Sequence, residues 1–253
     1  MALPPITLHT EGFPGEPGLD IAVSAVLHEW VARGEVGPTA RVHRTSRMVA
    51  FGRRDTHEER YVEAAALSRA QGYAPVERLA GGRAAVFHEG TIGVSLVTPE
   101  ADSTVGIHDR FETIAALTVD ALADLGLDPV VGEVPGEYCP GEYSVSEAGR
   151  VKLAGYGQRL IKGAAHVGGV VVVSGAEEVN RLLVPIYEVL DLPLDPAATG
   201  AIAHESGPAT VETVIGAFSR ALAQRWDVGA VPLPASLVEE ARDRVPGLLS
   251  PYT

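Results

Sequence analysis

A single cysteine, Cys139, and only two lysines, Lys152 and Lys162, stand in the 253-residue chain. One thiol excludes an internal disulfide. Aromatic residues make up 6% while glycine and proline number 28 and 18, which favours many short elements joined by tight turns over a few long helices. No apolar run approaches the ~20 residues needed to cross a bilayer. The opening residues, MALPPITLHTEGFPG, lack the basic start and apolar core of a secretory signal. A cytoplasmic protein with no membrane partner is therefore expected. Positive charge is also scarce. The net charge is −13 and the pI is near 5.0, so nucleic acid is not expected as a partner, because phosphate binding needs a basic face. The P-loop pattern and the six-residue Rossmann glycine pattern are both missing. His88 has no second ligand at metal spacing, and no metal site is expected.

What the chain does hold is concentrated between Gly136 and Ser174, the stretch that contains Cys139 and both lysines. All eighteen remaining strongly basic side chains are arginine. A lysine kept against that drift points to a need for a compact ammonium with free donors and an adjustable pKa. Cys139 sits in a loop set by Pro135, Gly136, Pro140 and Gly141. A lone cysteine is most often a small buried hydrophobe, but Glu137 and Tyr138 are poor company for a core residue, and a loop thiol near an ammonium is a candidate nucleophile. Residues 41 to 60 carry six arginines against three acids, either a solvated strand face or a strip that steers an acidic protein partner.

The spacing predicts an amphipathic helix over Leu19 to Ala32, ended by Gly34. Two strands follow between Ala40 and Gly52, with Thr45-Ser46 between them, and then a helix from Glu58 to Gln71. Val76 to Val97 reads as strand, Gly81-Gly82 turn, strand, Glu89-Gly90 turn, strand. Paired glycines let a backbone approach a ligand closely, though most often they are only a turn. His88 reads as a hydrogen-bonded structural histidine. Residues 107 to 125 form a helix. Glu142 to Ala154 reads as a hairpin turning at Ala148-Gly149-Arg150, with Lys152 just after the turn, and Val170 to Val173 as a buried strand after a glycine-rich connection. Helices are expected at Glu177 to Leu190, Thr210 to Trp226 and Ser236 to Arg244.

Four segments together resemble the lipoate-protein ligase A and octanoyltransferase family: Val49 to Arg53 (VAFGR), Arg78 to His88 (RLAGGRAAVFH), Cys139, and Lys152 to Arg159 (KLAGYGQR). The resemblance spans nearly the whole chain. Departures are a glycine segment one residue longer than usual, Gly155-Tyr156-Gly157-Gln158-Arg159 for the usual G-S/T-A-Q-R, and Val167 where a second histidine would follow His166.

The resemblance implies an α/β (α+β) fold, a mixed sheet flanked by helices like that of class II aminoacyl-tRNA and biotin synthetases. It implies one catalytic domain over 1–253 with C-terminal helices at 208–245 packed on it. It also implies attachment of octanoyl or lipoyl to a lysine of a lipoyl-domain protein. Cys139 and Lys152 would be catalytic, with Lys152 holding the acyl carbonyl or carboxylate as an ammonium that stabilises an oxyanion. Arg78, Gly81, Gly82, Arg83, His88, Gly155, Gln158, Arg159 and His166 would bind substrate. Cys139 and the GGR form favour a transferase that takes octanoyl from acyl carrier protein through a thioester and needs no cofactor. That reading expects no accessory C-terminal domain of the kind large ligases carry. The alternative is a ligase that uses ATP and magnesium to form lipoyl-AMP, and a third reading is a non-catalytic fatty-acid or lipoate-binding module. Lys162 has no counterpart.

Overall fold

In chain order the elements are β1 (Pro5–His9), α1 (Leu19–Ala32), β2 (Thr39–Arg44), β3 (Met48–Phe51), α2 (Arg53–Thr56), α3 (Tyr61–Ala70), β4 (Ala74–Glu77), β5 (Ala85–Phe87) and β6 (Thr91–Glu100). There follow α4 (Ile107–Ala123), β7 (Pro129–Val131), β8 (Val145–Glu147), β9 (Val151–Ile161), β10 (Gly163–Val172), α5 (Ala176–Val189), α6 (Ile202–Glu205), α7 (Val211–Arg225), β11 (Asp227–Ala230) and α8 (Ala235–Arg244). The computed structural model describes residues 2–78 and 80–250; Leu79, inside the Arg78-to-His88 segment, and residues 251–253, at the end of the expected domain, lie outside them.

An eight-stranded mixed sheet runs β11-β1-β2-β6-β10-β9-β8-β7, and a second sheet of three strands runs β4-β3-β5. In the large sheet β1 is parallel to both β11 and β2, and every other pairing is antiparallel. The expected mixed sheet with flanking helices is present. One core lies between the large sheet and the helices α4 and α7, where Ile114, Leu117, Val214 and Phe218 pack on Val42, Leu96, Val167 and Val171. A second joins the small sheet to α3 and α5. The helix α1 packs on β6 and β10, and α8 covers its outer side through Leu237 and Ala241. The C-terminal helices therefore divide, α7 against α4 and α8 against α1.

Several local expectations change once the strands pair. The strands on either side of Thr45-Ser46 belong to different sheets, so the chain leaves the large sheet at Arg44 and enters the small one at Met48. The strands around Gly81-Gly82 do not pair with each other; β4 and β5 flank β3. No glycine-rich connection precedes Val170. Gly168 and Gly169 lie inside a ten-residue β10 that pairs along its length with β6 and β9. Glycine weakens an isolated strand, but here a Cβ on Gly168 would fall 2.6 Å from the Ser95 Cβ, and one on Gly169 would run into the Gly155 carbonyl. The predicted hairpin does form, its turn carried by Ala148 at φ 49° and Gly149 at φ 70°, two left-handed residues whose twist matches that of the strands.

The six arginines between 41 and 60 do not make one surface. Arg41 is buried against Asp20, Arg44, Arg47 and Arg60 pair with Glu212, Glu89 and Glu63, and Arg53 and Arg54 are exposed.

Candidate functional site

The loop between β7 and β8 is built around one carboxylate. Glu137, 2% exposed, accepts from the backbone N–H of Val134 (3.1 Å) and Gly141 (3.0 Å), from the Ser144 hydroxyl (2.6 Å) and from the Lys152 ammonium (3.1 Å). A buried charge is tolerated only when paired and hydrogen-bonded, and four donors meet that condition. The loop is thereby closed on itself, and Glu137 and Tyr138 are core residues, contrary to the expectation from their polarity. Cys139, next in sequence, is held at φ 44°, a left-handed conformation uncommon for a residue with a Cβ. Its N–H donates to the Tyr187 hydroxyl (2.8 Å), which itself donates to the Ala84 carbonyl (3.0 Å).

The Cys139 thiol faces the Gly81-Gly82 loop. Its Sγ is 3.1 Å from the Arg83 backbone N–H and 3.5 Å from Nη2 of Arg78. Burial pushes the thiol pKa up. The Arg78 guanidinium, the Lys152 ammonium and the Arg83 N–H oppose that and leave it net lowered. A thiolate is thus favoured by two donors that point at the sulfur itself. Gly82 makes the approach possible: it sits at φ 103°, and a Cβ there would lie 2.7 Å from Sγ and 2.5 Å from Arg78 Nη2.

Lys152 is fully buried, and its ammonium donates to Glu137 Oε1 (3.1 Å) and to the carbonyls of Tyr138 (2.9 Å) and Cys139 (2.9 Å). All its donors therefore go to the Cys139 loop. In this arrangement Lys152 fixes the backbone that presents the thiol, while the donors directed at the sulfur are the Arg83 N–H and Arg78, whose Nη2 also donates to the Arg83 carbonyl (2.7 Å). The Arg83 side chain turns away to Asp55 (3.2 Å) and Glu58 (2.7 Å).

The other expected residues divide. Gly155 lies beneath Lys152, where a Cβ would sit 2.8 Å from its Cε. Arg78, Arg159 and His166 line a cavity between α1 and the large sheet. The Gly81 carbonyl is 2.9 Å from where a Cβ on Gly157 would be, so the glycine loop lies on β9. Two residues stand apart. Gln158 is tied to α4, accepting from Arg110 Nε (3.0 Å) and donating to the Ile107 carbonyl (2.5 Å). His88 accepts from the Gly90 N–H (3.0 Å) in the β5–β6 turn, beside Gly175 at the start of α5. Sequence reasoning missed the loop role of Glu137, as well as Tyr187, His28 and His43. Glu137 was visible only as a carboxylate fifteen residues before the lone buried lysine.

Residues 16–220 match the model of the lipoyl protein ligase A/B catalytic domain. The chain belongs to that family. Among curated relatives, an octanoyl-[GcvH]:protein N-octanoyltransferase of Geobacillus kaustophilus is 34% identical over 155 residues, 61% of this chain and 54% of the relative. A lipoyl-[GcvH]:protein N-lipoyltransferase of Listeria monocytogenes is 34% identical over 118 residues, 46% of this chain and 42% of the relative. The chain spans about half the length of the curated relatives it matches. A lipoate-protein ligase A solved with ATP superimposes with a TM-score of 0.74 at 19% identity, over 97% of this chain and 95% of the other. A bipartite lipoate-protein ligase of Thermoplasma acidophilum gives 0.71 at 18%, over 96% and 92%. These two share the fold. No helix among the described residues is long and apolar enough to cross a membrane.

Proposed function

We propose that this chain moves an octanoyl or lipoyl group from a carrier protein to a lysine of a lipoyl-domain protein through a thioester on Cys139. The observation that carries the reading is the pair of donors on Sγ, the Arg83 N–H at 3.1 Å and Arg78 at 3.5 Å, in a loop held rigid by Glu137 and Lys152. The sulfur attacks the acyl carbonyl, a C–S bond forms, and the bond from that carbon to the donor's nitrogen or sulfur breaks. The thiol proton leaves with the donor. The neutral amine of the acceptor lysine then attacks the thioester carbon, the C–S bond breaks as the amide forms, and the proton lost by the amine goes to the departing sulfur, which restores the thiol. Arg78 and the Arg83 N–H stabilise negative charge on the carbonyl oxygen in both steps. Acyl carrier protein is the donor expected from sequence, whereas the names of the relatives put GcvH in that place, so the donor itself is part of the test.

Intact-mass measurement distinguishes this reading from the ATP-dependent ligase. Octanoylated GcvH or octanoyl-acyl carrier protein, given without ATP, adds one octanoyl mass that hydroxylamine removes and that Cys139→Ser never acquires. Transfer by Cys139→Ser falls by at least about a thousandfold, the scale for loss of a nucleophile. An unmodified protein that lipoylates its acceptor only with ATP and magnesium, and that works equally well as Cys139→Ser, would sink the assignment.

A further inference from the structure

The VAFGR segment, Val49 to Arg53, carries part of the family resemblance, but the donors on the Cys139 sulfur come from Arg78 and Arg83. What the segment contributes begins at Gly52, between β3 and α2. The Gly52 N–H donates to Asp55 Oδ2 (3.0 Å), and the Gly52 carbonyl accepts from the Asp55 N–H (3.0 Å). A Cβ on Gly52 would run into the Gly82 carbonyl. The turn that starts α2 therefore lies directly against the glycine loop that faces the thiol.

Asp55 is completely buried, and its other oxygen, Oδ1, accepts from Arg83 Nη1 (3.2 Å), which also donates to the partly exposed Glu58 (2.7 Å). One buried carboxylate thus joins the end of β3 to residue 83 of the glycine loop. Burial raises the Asp55 pKa, opposed by the Gly52 N–H and the Arg83 guanidinium, and a carboxylate so placed depends on such partners. The backbone of residue 83 is held too. Its carbonyl accepts from Arg78 Nη2 (2.7 Å), and the next carbonyl, that of Ala84, accepts from the Tyr187 hydroxyl (3.0 Å). Gly81 and Gly82 before it are the most permissive of residues, and Gly82 sits at φ 103°, so the direction of the Arg83 N–H is fixed by what grips residue 83 and not by its local sequence.

We propose that Arg83 is a positioning residue whose guanidinium, gripped by Asp55 and Glu58, aims its own backbone N–H at the Cys139 sulfur. This rests on the reading of Cys139 as the acyl-carrying residue. The N–H favours the thiolate only while it points at Sγ, now 3.1 Å away. Because the thiolate and not the thiol attacks the acyl carbonyl, a loosened grip slows thioester formation at a given pH without removing any reacting group. The arginine of the GGR form and the Gly52 of VAFGR then serve one purpose, from opposite ends of the same ion pair.

The test turns on a sign. Asp55→Asn deletes a negative charge, which by itself can only lower a thiol pKa. Loosening of Arg83 predicts the reverse, because the Asn carbonyl oxygen accepts while its amide nitrogen donates, so Gly52 and Arg83 cannot both be served as the carboxylate serves them. Alkylation of Cys139 by iodoacetamide, followed against pH, should give a thiol pKa higher by about one unit in Asp55→Asn, the scale of a weakened hydrogen bond to an ion. The pH profile of octanoyl thioester formation should shift with it. The midpoint is the readout, since a merely structural role changes access to the loop and hence the plateau. Glu58→Gln should move the midpoint the same way by less, and it carries the comparison if Asp55→Asn does not fold. A midpoint that stays or falls in Asp55→Asn, or in Glu58→Gln where that variant stands in, overturns the proposal whatever the change in unfolding midpoint. Failure of the wild type to form a thioester in the mass experiment would remove the transfer reading and leave the alkylation result standing.

Discussion

Two buried ionic clusters, one at Cys139 and one beneath α1, use their hydrogen bonds differently. At Cys139, Glu137 and Lys152 satisfy each other and turn every remaining donor and acceptor onto their own loop. Beneath α1, Arg41 is equally buried, donating to Asp20 Oδ1 (2.8 Å), to the Asp20 carbonyl (2.9 Å) and to the Glu11 carbonyl (3.1 Å). There, however, one acceptor is left over, the Nε2 of His43 that faces Gly93. A cluster that closes on itself makes backbone rigid. A cluster with a spare acceptor can also recognise a ligand.

Breaking the closed cluster should have the largest effect. Lys152→Met leaves the Glu137 carboxylate buried and uncompensated, which costs about 3–5 kcal/mol. Denaturant unfolding should show that loss, and Cys139 should become far more accessible to alkylation as its loop loosens. Lys162→Arg, at an exposed position, should stay within about 0.5 kcal/mol of wild type. Equal stability of the two variants would mean that Lys152 acts only on substrate.

Gly93→Ala sharpens the comparison at the open cluster. The new Cβ would press on a His43 ring held by Asp20 and Arg44, an overpacking cost of about 1–3 kcal/mol. Denaturant unfolding should show that cost, and unchanged stability would mean that the ring is not held there.

Per pH unit and per histidine, the effect of protonation is the smallest of these. His43 and His166 are depressed from 6.5 to about 4 and about 3, in each case first by burial, then by the neighbours Arg41 for His43 and His28 and Arg41 for His166. Unfolded histidine takes up a proton that the folded ring refuses, so stability is fully present above pH 6.5 and is lost as the pH falls through the folded values. Each histidine contributes a slope of up to about 1.4 kcal/mol per pH unit in that window. Urea midpoints measured from pH 7 to pH 4 should fall, and His166→Leu should fall less steeply. Parallel curves would mean that the ring is already solvated.

Legibility from sequence follows the range of the contacts involved. The bounds of α1 were readable to the residue, since its apolar spacing and the left-handed Gly34 are local signals. Cys139 and Lys152 could be paired because a hairpin turn separates them by only thirteen positions. His88 and Gln158 were grouped with the others by motif, yet each side chain points to a different neighbour, a turn for one and α4 for the other. His43 drew no notice because nothing beside it in sequence marks the cavity that α1 and β6 form around it.

Taken alone, the sequence determined where α1, the β8–β9 hairpin and the helices α4, α5, α7 and α8 would form, because periodicity, glycine stops and turn residues act over a few positions. Tertiary structure alone decided that β2 and β3 part into different sheets, that β11 joins β1 across some 222 positions through bonds such as the one from His9 to Val231, and that the ammonium of Lys152 turns to Glu137. These outcomes rest on pairing and charge burial between distant segments. Their energies depend on which groups lose water together, and no local pattern records that.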